Sequence, residues 1–337
     1  MSLDKAIIEV PSSTANVGPG YDIWSVAIRS PYLKVTCTRT KSGIEVLSTS
    51  PHQPPAGREL GYAGGLAAAH FLQKFDIKGG VSILYEDSDD GYPVGGLGRS
   101  GAEIVGAILS AAVAYDKILN LDELTTLSHQ IEGHPDNVAA SINGRFSIMA
   151  TSPYNGGLIV DCYDLPENLG IAIGFSSHQK TGGTEAGRRV LRDPVPVADF
   201  VAQTGLVSMI TAALIRGNVH RFLELVWGDR FHEPRRADAG FYGKFTGQDL
   251  AGLKRELFEK FNVGLCVSGA GPNMQAWYNK NDHLQGIAGV ISPVVVPWFR
   301  ERDIEMRIEE MGVAREGAHA YAQRVYGYGR AAISEKT

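Results

Sequence analysis

The chain has 337 residues, 44% of them hydrophobic and 20% charged, with a net charge of −5. That length exceeds what one small core needs and suits two domains of ordinary size. A mild negative balance with no basic run argues against a nucleic-acid partner. No stretch approaches about 18 charge-free apolar residues of membrane type, and Met1-Ser2-Leu3-Asp4-Lys5 has no apolar signal segment. Cys37, Cys162 and Cys266 are scattered, with no CxxC and no disulfide framework, so a reduced, cytoplasmic setting is expected.

Ile7 to Val10 reads as a strand ending at Pro11, followed by a polar, turn-rich loop from Ser12 to Gly20 and an apolar run from Ile23 to Ile28. Tyr32 to Arg39 and Gly43 to Leu47 resemble strands of a meander, and Ser48 to Gly57 is a proline-containing loop. Gly61 to Phe75 reads as helix and Gly80 to Tyr85 as a short strand. A helix is expected from about Ser100 to Tyr115, and Leu121, Leu124, Leu127 and Ile131 mark one helical face. Asp136 to Ser141 starts a further helix, and Gly144 to Ala150 and Gly157 to Asp161 read as strands.

Leu165-Pro166-Glu167-Asn168 punctuates two strand-like runs, which places a domain boundary near 163–168. Beyond it, Leu169 to Gly174 reads as a strand and Asp199 to Arg216 mostly as helix. Thr246-Gly247-Gln248-Asp249 resembles a capping box before the stripe Leu250, Leu253, Leu257, Phe261. Val263 to Val267 and Met274 to Tyr278 read as a hairpin around Ser268-Gly269-Ala270-Gly271-Pro272. Val294 to Trp298 is read as a strand, and Glu301 to Met311 as a charged helix with Ile304, Ile308 and Met311 inward.

The most informative stretch is Tyr92-Pro93-Val94-Gly95-Gly96-Leu97-Gly98-Arg99-Ser100-Gly101-Ala102-Glu103, which feeds the apolar segment Ile104 to Val113. Glycines leading into a helix start gather unpaired backbone N–H groups at the positive end of the helix dipole, an arrangement that favours a phosphate. A packing loop in which backbone crosses backbone gives the same pattern, and both readings stand on this stretch alone.

Taken with two further motifs, the chain resembles the GHMP kinase superfamily, named for galactose, homoserine, mevalonate and phosphomevalonate kinases. The first motif is Pro11-Ser12-Ser13-Thr14-Ala15-Asn16-Val17-Gly18-Pro19-Gly20-Tyr21-Asp22, and the third is Ser268-Gly269-Ala270-Gly271-Pro272-Asn273. Within the superfamily, Glu132-Gly133-His134-Pro135-Asp136-Asn137-Val138-Ala139, Thr184-Glu185-Ala186-Gly187-Arg188 and His232-Glu233-Pro234-Arg235-Arg236 are most similar to homoserine kinase. The resemblance implies a mixed α/β (α+β), two-domain GHMP kinase fold. Its N-terminal, ATP-binding domain (1–165) would be ribosomal protein S5 domain 2-like with a left-handed βαβ crossover, and its C-terminal domain (166–337) ferredoxin-like. ATP and a small-molecule substrate would lie between them, and a homodimer is compatible with the family.

The resemblance also implies roles. Pro93, Gly95, Gly96, Leu97, Gly98, Arg99, Ser100 and Gly101 would wrap the ATP phosphates. Ser100 caps its helix or joins Glu132 on Mg²⁺, although an exposed Glu on a helix is also common. Asn137 and His134 would orient the substrate, while Asp136 is a base, a hydrogen-bond acceptor or part of a helix cap. Asp22 offers a carboxylate to an ammonium, Arg188 and Arg236 can grip a carboxylate, and Asn16 can hold the hydroxyl or amino group. Arg235 leaves the assignment of Arg236 open by one position. Gly269 and Gly271 would support the substrate and phosphate loop, and equally suit a tight hairpin turn.

Two departures qualify the pattern. The family's loop normally reads Gly-Leu-Gly-Ser-Ser-Ala, and here Arg99 replaces the first serine. Arg99 clamps the γ-phosphate, binds an anionic group of the substrate, or points to solvent. Arg58-Glu59-Leu60 stands where homoserine kinases usually carry Asn-Leu-Val, so Glu59 would have to accept from the adenine amino group. The expected activity is phosphorylation of the L-homoserine side-chain hydroxyl. Another small alcohol such as a sugar phosphate, or a non-catalytic binding role, are the alternatives.

Overall fold

The computed structural model describes residues 3–49, 62–88, 96–178 and 183–329. The expectations for Glu59, Pro93 and Gly95 lie outside these residues.

Strands β1 (Lys5–Ala15), β2 (Trp24–Thr40), β3 (Ile44–Ser48), β4 (Gly80–Asp87), β5 (Phe146–Thr151) and β6 (Leu158–Tyr163) form a six-stranded mixed sheet. Its path is β3-β4-β2-β5-β6, with β1 paired to β2. Only β3 and β4 run parallel, and helix α1 (Ala63–Lys74) connects them. The sequence reading ended β1 at Pro11 and broke β2 at Pro31. Both strands continue, because the register shifts between Pro11 and Ser12 and a bulge accommodates the missing N–H. Ser12 to Ala15, expected as loop, therefore lies in the sheet, paired with Ser25 to Ile28.

Helix α2 (Arg99–Ala114) packs on β1 and β2, and thirteen of its sixteen residues are buried. Gly106, inside this helix, is needed for close packing: a Cβ would lie 2.3 Å from Val35 Cγ2. Helices α3 (Leu121–Glu132) and α4 (Asp136–Asn143) complete this layer.

The second sheet takes β7 (Leu169–Ser176), β8 (Gly264–Val267), β9 (Met274–Asn279) and β10 (Met306–Met311) in the antiparallel order β10-β7-β9-β8. Helices α5 (Gly183–Arg189), α6 (Val197–Ile215), α7 (Val219–Val226), α8 (His232–Asp238) and α9 (Gly247–Phe261) fill the connection from β7 to β8. Helix α10 (Ala288–Arg300) links β9 to β10, giving the βαββαβ order of ferredoxin-like domains. The chain thus has a two-lobed, mixed α/β fold. Helix α11 (Ala318–Tyr326) returns to pack on β1, α2 and α4 of the first lobe.

Two expectations near the C-terminus are reversed. Val294 to Trp298 lies within helix α10 despite Pro293 and Pro297. Ile291, Val295 and Phe299, spaced by four, are buried on one face of it and join the second core. Conversely, Glu301 to Met311 is not a helix. Asp303 takes φ 61°, and Met306 to Met311 then pairs residue by residue with β7. Backbone pairing and the anchoring of Glu310, which accepts from Tyr278 Oη at 2.7 Å, override the charged, helix-favouring composition. Helix α6 is long and apolar enough to cross a bilayer by length and composition, but it carries Asp199, Gln203 and Thr204 and so is not a charge-free apolar stretch of the kind excluded from the sequence. In this fold α6 lies on the surface, with Val197, Phe200, Val201, Met209 and Ile215 exposed.

The capping box at Thr246 and Asp249 forms as read, and Leu250, Leu253 and Leu257 are buried beneath it. The same helix buries Lys254, whose ammonium pairs with the fully buried Glu233. The other Glu233 oxygen accepts the Val267 amide at 2.8 Å. Removing one partner from such a pair strands a charge in the core. Lys254→Met is therefore expected to lower the unfolding free energy by about 3–5 kcal/mol, read from urea titrations. An unchanged midpoint would mean that Glu233 is satisfied without its lysine.

Candidate functional site

A cavity of about 370 Å³ opens where the three sequence motifs meet. A larger cleft of about 560 Å³ between α1 and α3 carries none of the motif residues. The smaller cavity brings together Asn16, Asp22, Gly96, Gly98, Arg99, Ser100, Glu132, His134, Asp136, Asn137, Arg188, Arg236 and Gly269. Leu97 and Gly101 are buried in the base of the glycine turn, and Gly271 sits behind the cavity against the Tyr242 ring.

The end of the glycine loop is held by its neighbours. Gly98 takes φ 65° as the N-cap of α2, and a Cβ there would lie 2.1 Å from Ser13 Oγ. Only glycine combines that left-handed conformation with that crowding. The Ser13 amide donates to the Leu97 carbonyl at 3.2 Å, and Ser268 Oγ donates to the Gly96 carbonyl. The N-cap residue is glycine and supplies no side-chain cap, so the positive end of the α2 dipole lies at the cavity.

Beside this helix end, Ser100 Oγ donates to Glu132 Oε2 at 2.6 Å. Burial pushes the Glu132 carboxyl up, against the lowering effect of His134 and Ser100. A hydroxyl and a carboxylate side by side form a hard oxygen donor set that suits Mg²⁺. His134 Nδ1 lies 3.0 Å from Asp136 Oδ1, which also accepts the Asn137 amide at 2.8 Å. Burial opposes charge on both, yet Asp136 raises the His134 pKa, and His134 with the Asn137 amide lowers that of Asp136. Asn137 Oδ1 accepts from Ser13 Oγ at 2.8 Å.

Arg99 does not point to solvent. Its Nε donates to Glu103 Oε1 and its Nη1 lies against Asp87 Oδ1, both at 2.9 Å. Asn16 spends its carboxamide locally, donating to the Gly269 carbonyl at 2.8 Å and accepting the Asp22 amide at 2.9 Å.

At the far end, Arg188 Nη1 and Nη2 donate to the two Asp22 oxygens at 2.9 and 2.7 Å. Helical phase turns the two neighbouring arginines in opposite directions. Arg236 of α8 turns inward and is 1% exposed, with Nε donating to the Gly187 carbonyl. Arg235 turns outward to the carbonyls of Asp193 and Pro194. Tyr21, Tyr62, Glu103 and Ala270 also line the cavity and were not singled out from sequence. The i,i+4 spacing of Arg99 and Glu103 was a readable signal for one of them.

Behind this end lies a buried polar wall. Gln203 Nε2 donates to the Pro19 carbonyl at 2.9 Å and to Asp229 Oδ1 at 2.6 Å. Asp229 Oδ2 accepts the Glu233 amide at 2.8 Å and lies 3.1 Å from His232 Nδ1.

Comparison with known proteins gives a consistent result. Residues 62–145 match the family model of the GHMP kinases N terminal domain. A homoserine kinase of Prochlorococcus marinus (strain MIT 9515) is 26% identical over 322 residues, covering 93% of this chain and 95% of that protein. One from Caldanaerobacter subterraneus subsp. tengcongensis is 28% identical over 277 residues, covering 80% and 82%. The crystal structure of homoserine kinase from Cytophaga hutchinsonii superposes with a TM-score of 0.77 at 20% identity, covering 94% of this chain and 97% of the other. Mevalonate diphosphate decarboxylase from Staphylococcus aureus gives 0.69 at 15% identity, covering 93% and 97%.

Burial works against the charge on Asp229, but His232, Lys254 and Gln203 hold its carboxyl below the usual carboxylate range. The stability it contributes is complete above about pH 4 and is lost as pH falls through the lowered value. Asp229→Asn should lower stability at neutral pH and flatten the decline toward about pH 3, measured by urea unfolding across that range. An acid limb as steep as the wild type's would remove Asp229 from this role.

Proposed function

We propose that this chain, which belongs to the GHMP kinase superfamily and is a kinase-type phosphotransferase, transfers the γ-phosphoryl group of ATP to the side-chain hydroxyl of L-homoserine, forming O-phospho-L-homoserine. One observation carries the reading: the ends of the cavity are chemically different. An uncapped helix N-terminus beside Ser100 and Glu132 lies at one end, and Asp22, Arg188 and Arg236 at the other. His134, Asp136 and Asn137 also line it.

ATP phosphates fit the helix end by charge and by the donor chemistry of backbone amides. Ser100 and Glu132 would hold Mg²⁺, which supplies charge neutralisation to the transferred group when bound. The acceptor's ammonium suits Asp22, and its carboxylate suits Arg188 and Arg236. Asn137 and His134 then orient the hydroxyl. Asp136 is assigned a structural task, because its low pKa and its bonds to His134 and Asn137 make it a weak base. Positioning supplies most of the rate in such a transfer: the hydroxyl oxygen bonds to the γ-phosphorus as the bond to the ADP oxygen breaks, and the hydroxyl proton passes late to an oxygen of the transferred phosphoryl group.

The sugar-phosphate alternative loses ground, since Arg99 is neutralised by Asp87 and Glu103 instead of facing a second phosphate. A non-catalytic role is disfavoured by the joint presence of Asp22, Glu132, Asn137, Arg188 and Arg236 around one cavity. A cytoplasmic location is proposed with it, supported by three free cysteines. A homodimer is proposed as well, because a second copy would cover the exposed apolar side chains of α6.

Nucleoside-diphosphate release with Mg-ATP should be confined to L-homoserine in a panel with L-threonine, mevalonate, galactose and ribose 1-phosphate. Turnover on ribose 1-phosphate would overturn the acceptor, and silence with ATP, GTP and CTP would overturn the activity. Glu132→Gln should reduce kcat more at limiting than at saturating Mg²⁺. A defect independent of Mg²⁺ would remove Glu132 from the metal.

A further inference from the structure

A separate cleft of about 470 Å³ opens where the chain returns to the first lobe after β10. Its lining shares no residue with the motif cavity. Three arginines enter it from three segments: Arg29 from β2, Arg315 from the returning segment and Arg324 from α11. Two carboxylates, Glu9 of β1 and Glu316, line it with them.

Arg324 is already spent. Its Nε lies 3.3 Å from Glu316 Oε2, and its guanidinium lies 5.3 Å from the centre of the Tyr321 ring. Among the described residues, neither Arg29 nor Arg315 holds an ion pair. Both are exposed, so a ligand can reach them. With the paired charges set aside, two cations stand against Glu9 alone. That is a local positive excess on a chain whose net charge is −5.

The backbone that carries these two arginines is fixed. The Arg29 amide donates to the Gly312 carbonyl at 2.7 Å. A Cβ at Gly312 would lie 3.6 Å from Arg29 Nε, so the arginine runs along the returning segment, where glycine leaves it room. One residue before Arg315, the Ala314 amide donates to the Ala27 carbonyl at 2.9 Å, and the Ala314 carbonyl accepts the Arg145 amide at 2.7 Å. Two residues after it, Gly317 lies so close to the end of α4 that a Cβ would fall 2.3 Å from the Ile142 carbonyl oxygen. Two guanidinium forks on a frame that is already ordered match the oxygens of a phosphate at a reduced ordering cost.

The cleft is also roomier than an inorganic ion needs. Its volume falls in the range of small-molecule sites, and Tyr32 and Tyr321 give it aromatic walls. Glu9 disfavours a second anionic group on the ligand.

We propose that this cleft is a second anion site, in which the phosphate of a small phosphomonoester lies between Arg29 and Arg315 and its organic body lies against Tyr32 and Tyr321. Bound there, the ester bridges β2 and the segment that follows β10. The inference goes beyond the kinase reading and does not depend on it.

Calorimetric titration of the full chain with phenyl phosphate at about pH 8, where the phosphate is a dianion, tests the site. Wild type should bind it more tightly than about 1 mM. Arg29→Gln with Arg315→Gln should weaken binding about tenfold or more. Arg255→Gln with Arg300→Gln removes the same charge from exposed positions on α9 and α10 and should leave the affinity within about twofold. Glu9→Gln should tighten binding several-fold, because it removes a like charge from the cleft. Any phosphate held at the glycine turn is common to all four proteins, so the differences among them read this cleft alone. Equal losses in the two double variants, an affinity that Arg29→Gln with Arg315→Gln leaves unchanged, or a weaker Glu9→Gln overturns the site. Inorganic phosphate binding as tightly as phenyl phosphate overturns the ester as its ligand.

Discussion

The polar end of β1 is the constraint on which the rest of the site depends. Ser12, Ser13 and Thr14 are fully buried and Asn16 nearly so, in the middle of the molecule. Buried hydroxyl and amide groups need partners. Here most of those partners lie on other segments that line the cavity. Ser13 reaches Asn137 of α4, Thr14 reaches Ser268, and Asn16 reaches Gly269. The Ser13 amide takes the Leu97 carbonyl at the start of α2. One strand therefore sets the relative positions of the glycine turn, helix α4 and the 268–271 turn. It is rigid because the sheet continues on the β2 side and α2 covers it.

This dependence also marks how much was legible beforehand. The three motifs, their order and most of the cavity residues could be read from the chain. Their convergence could not, because the serines that join them read as a turn-rich loop after Pro11. A proline at a bulge leaves the strand intact, and local propensity does not report bulges. The same limit explains α10, where a run of valines suggested a strand and burial of Ile291, Val295 and Phe299 selects a helix. It explains β10, where pairing with β7 outweighs charge patterning. Arg235 and Arg236 were indistinguishable because the phase of α8 was unknown. Arg99 was ambiguous because its partner Asp87 comes from the end of β4, outside its own helix.

The Asp22–Arg188 end of the cavity is backed by buried charges. Glu233, Lys254, Asp229 and His232 are buried behind it, joining α8 and α9, the Trp227 carbonyl and β8 through ion pairs and backbone hydrogen bonds. Such groups are costly to bury and lose much of their cost only when every partner is in place. The network thus has one low-energy arrangement, and that arrangement turns Arg236 toward the cavity.

The chain crosses between the two lobes twice. The chain crosses once between β6 and β7, and again after β10, where Ile28 pairs with Val313 and the Ala27 and Arg145 backbones bond to Ala314. From there it continues into α11, whose Tyr326 hydroxyl accepts the Ile7 amide and donates to the Ile7 carbonyl. A body attached at a single point can swivel in any direction. A body attached at two can only rock about the line through both. Here the bonds from β1 to Ser268 and Gly269 and a core shared by both lobes resist even that axis, so the two ends of the cavity are held in line.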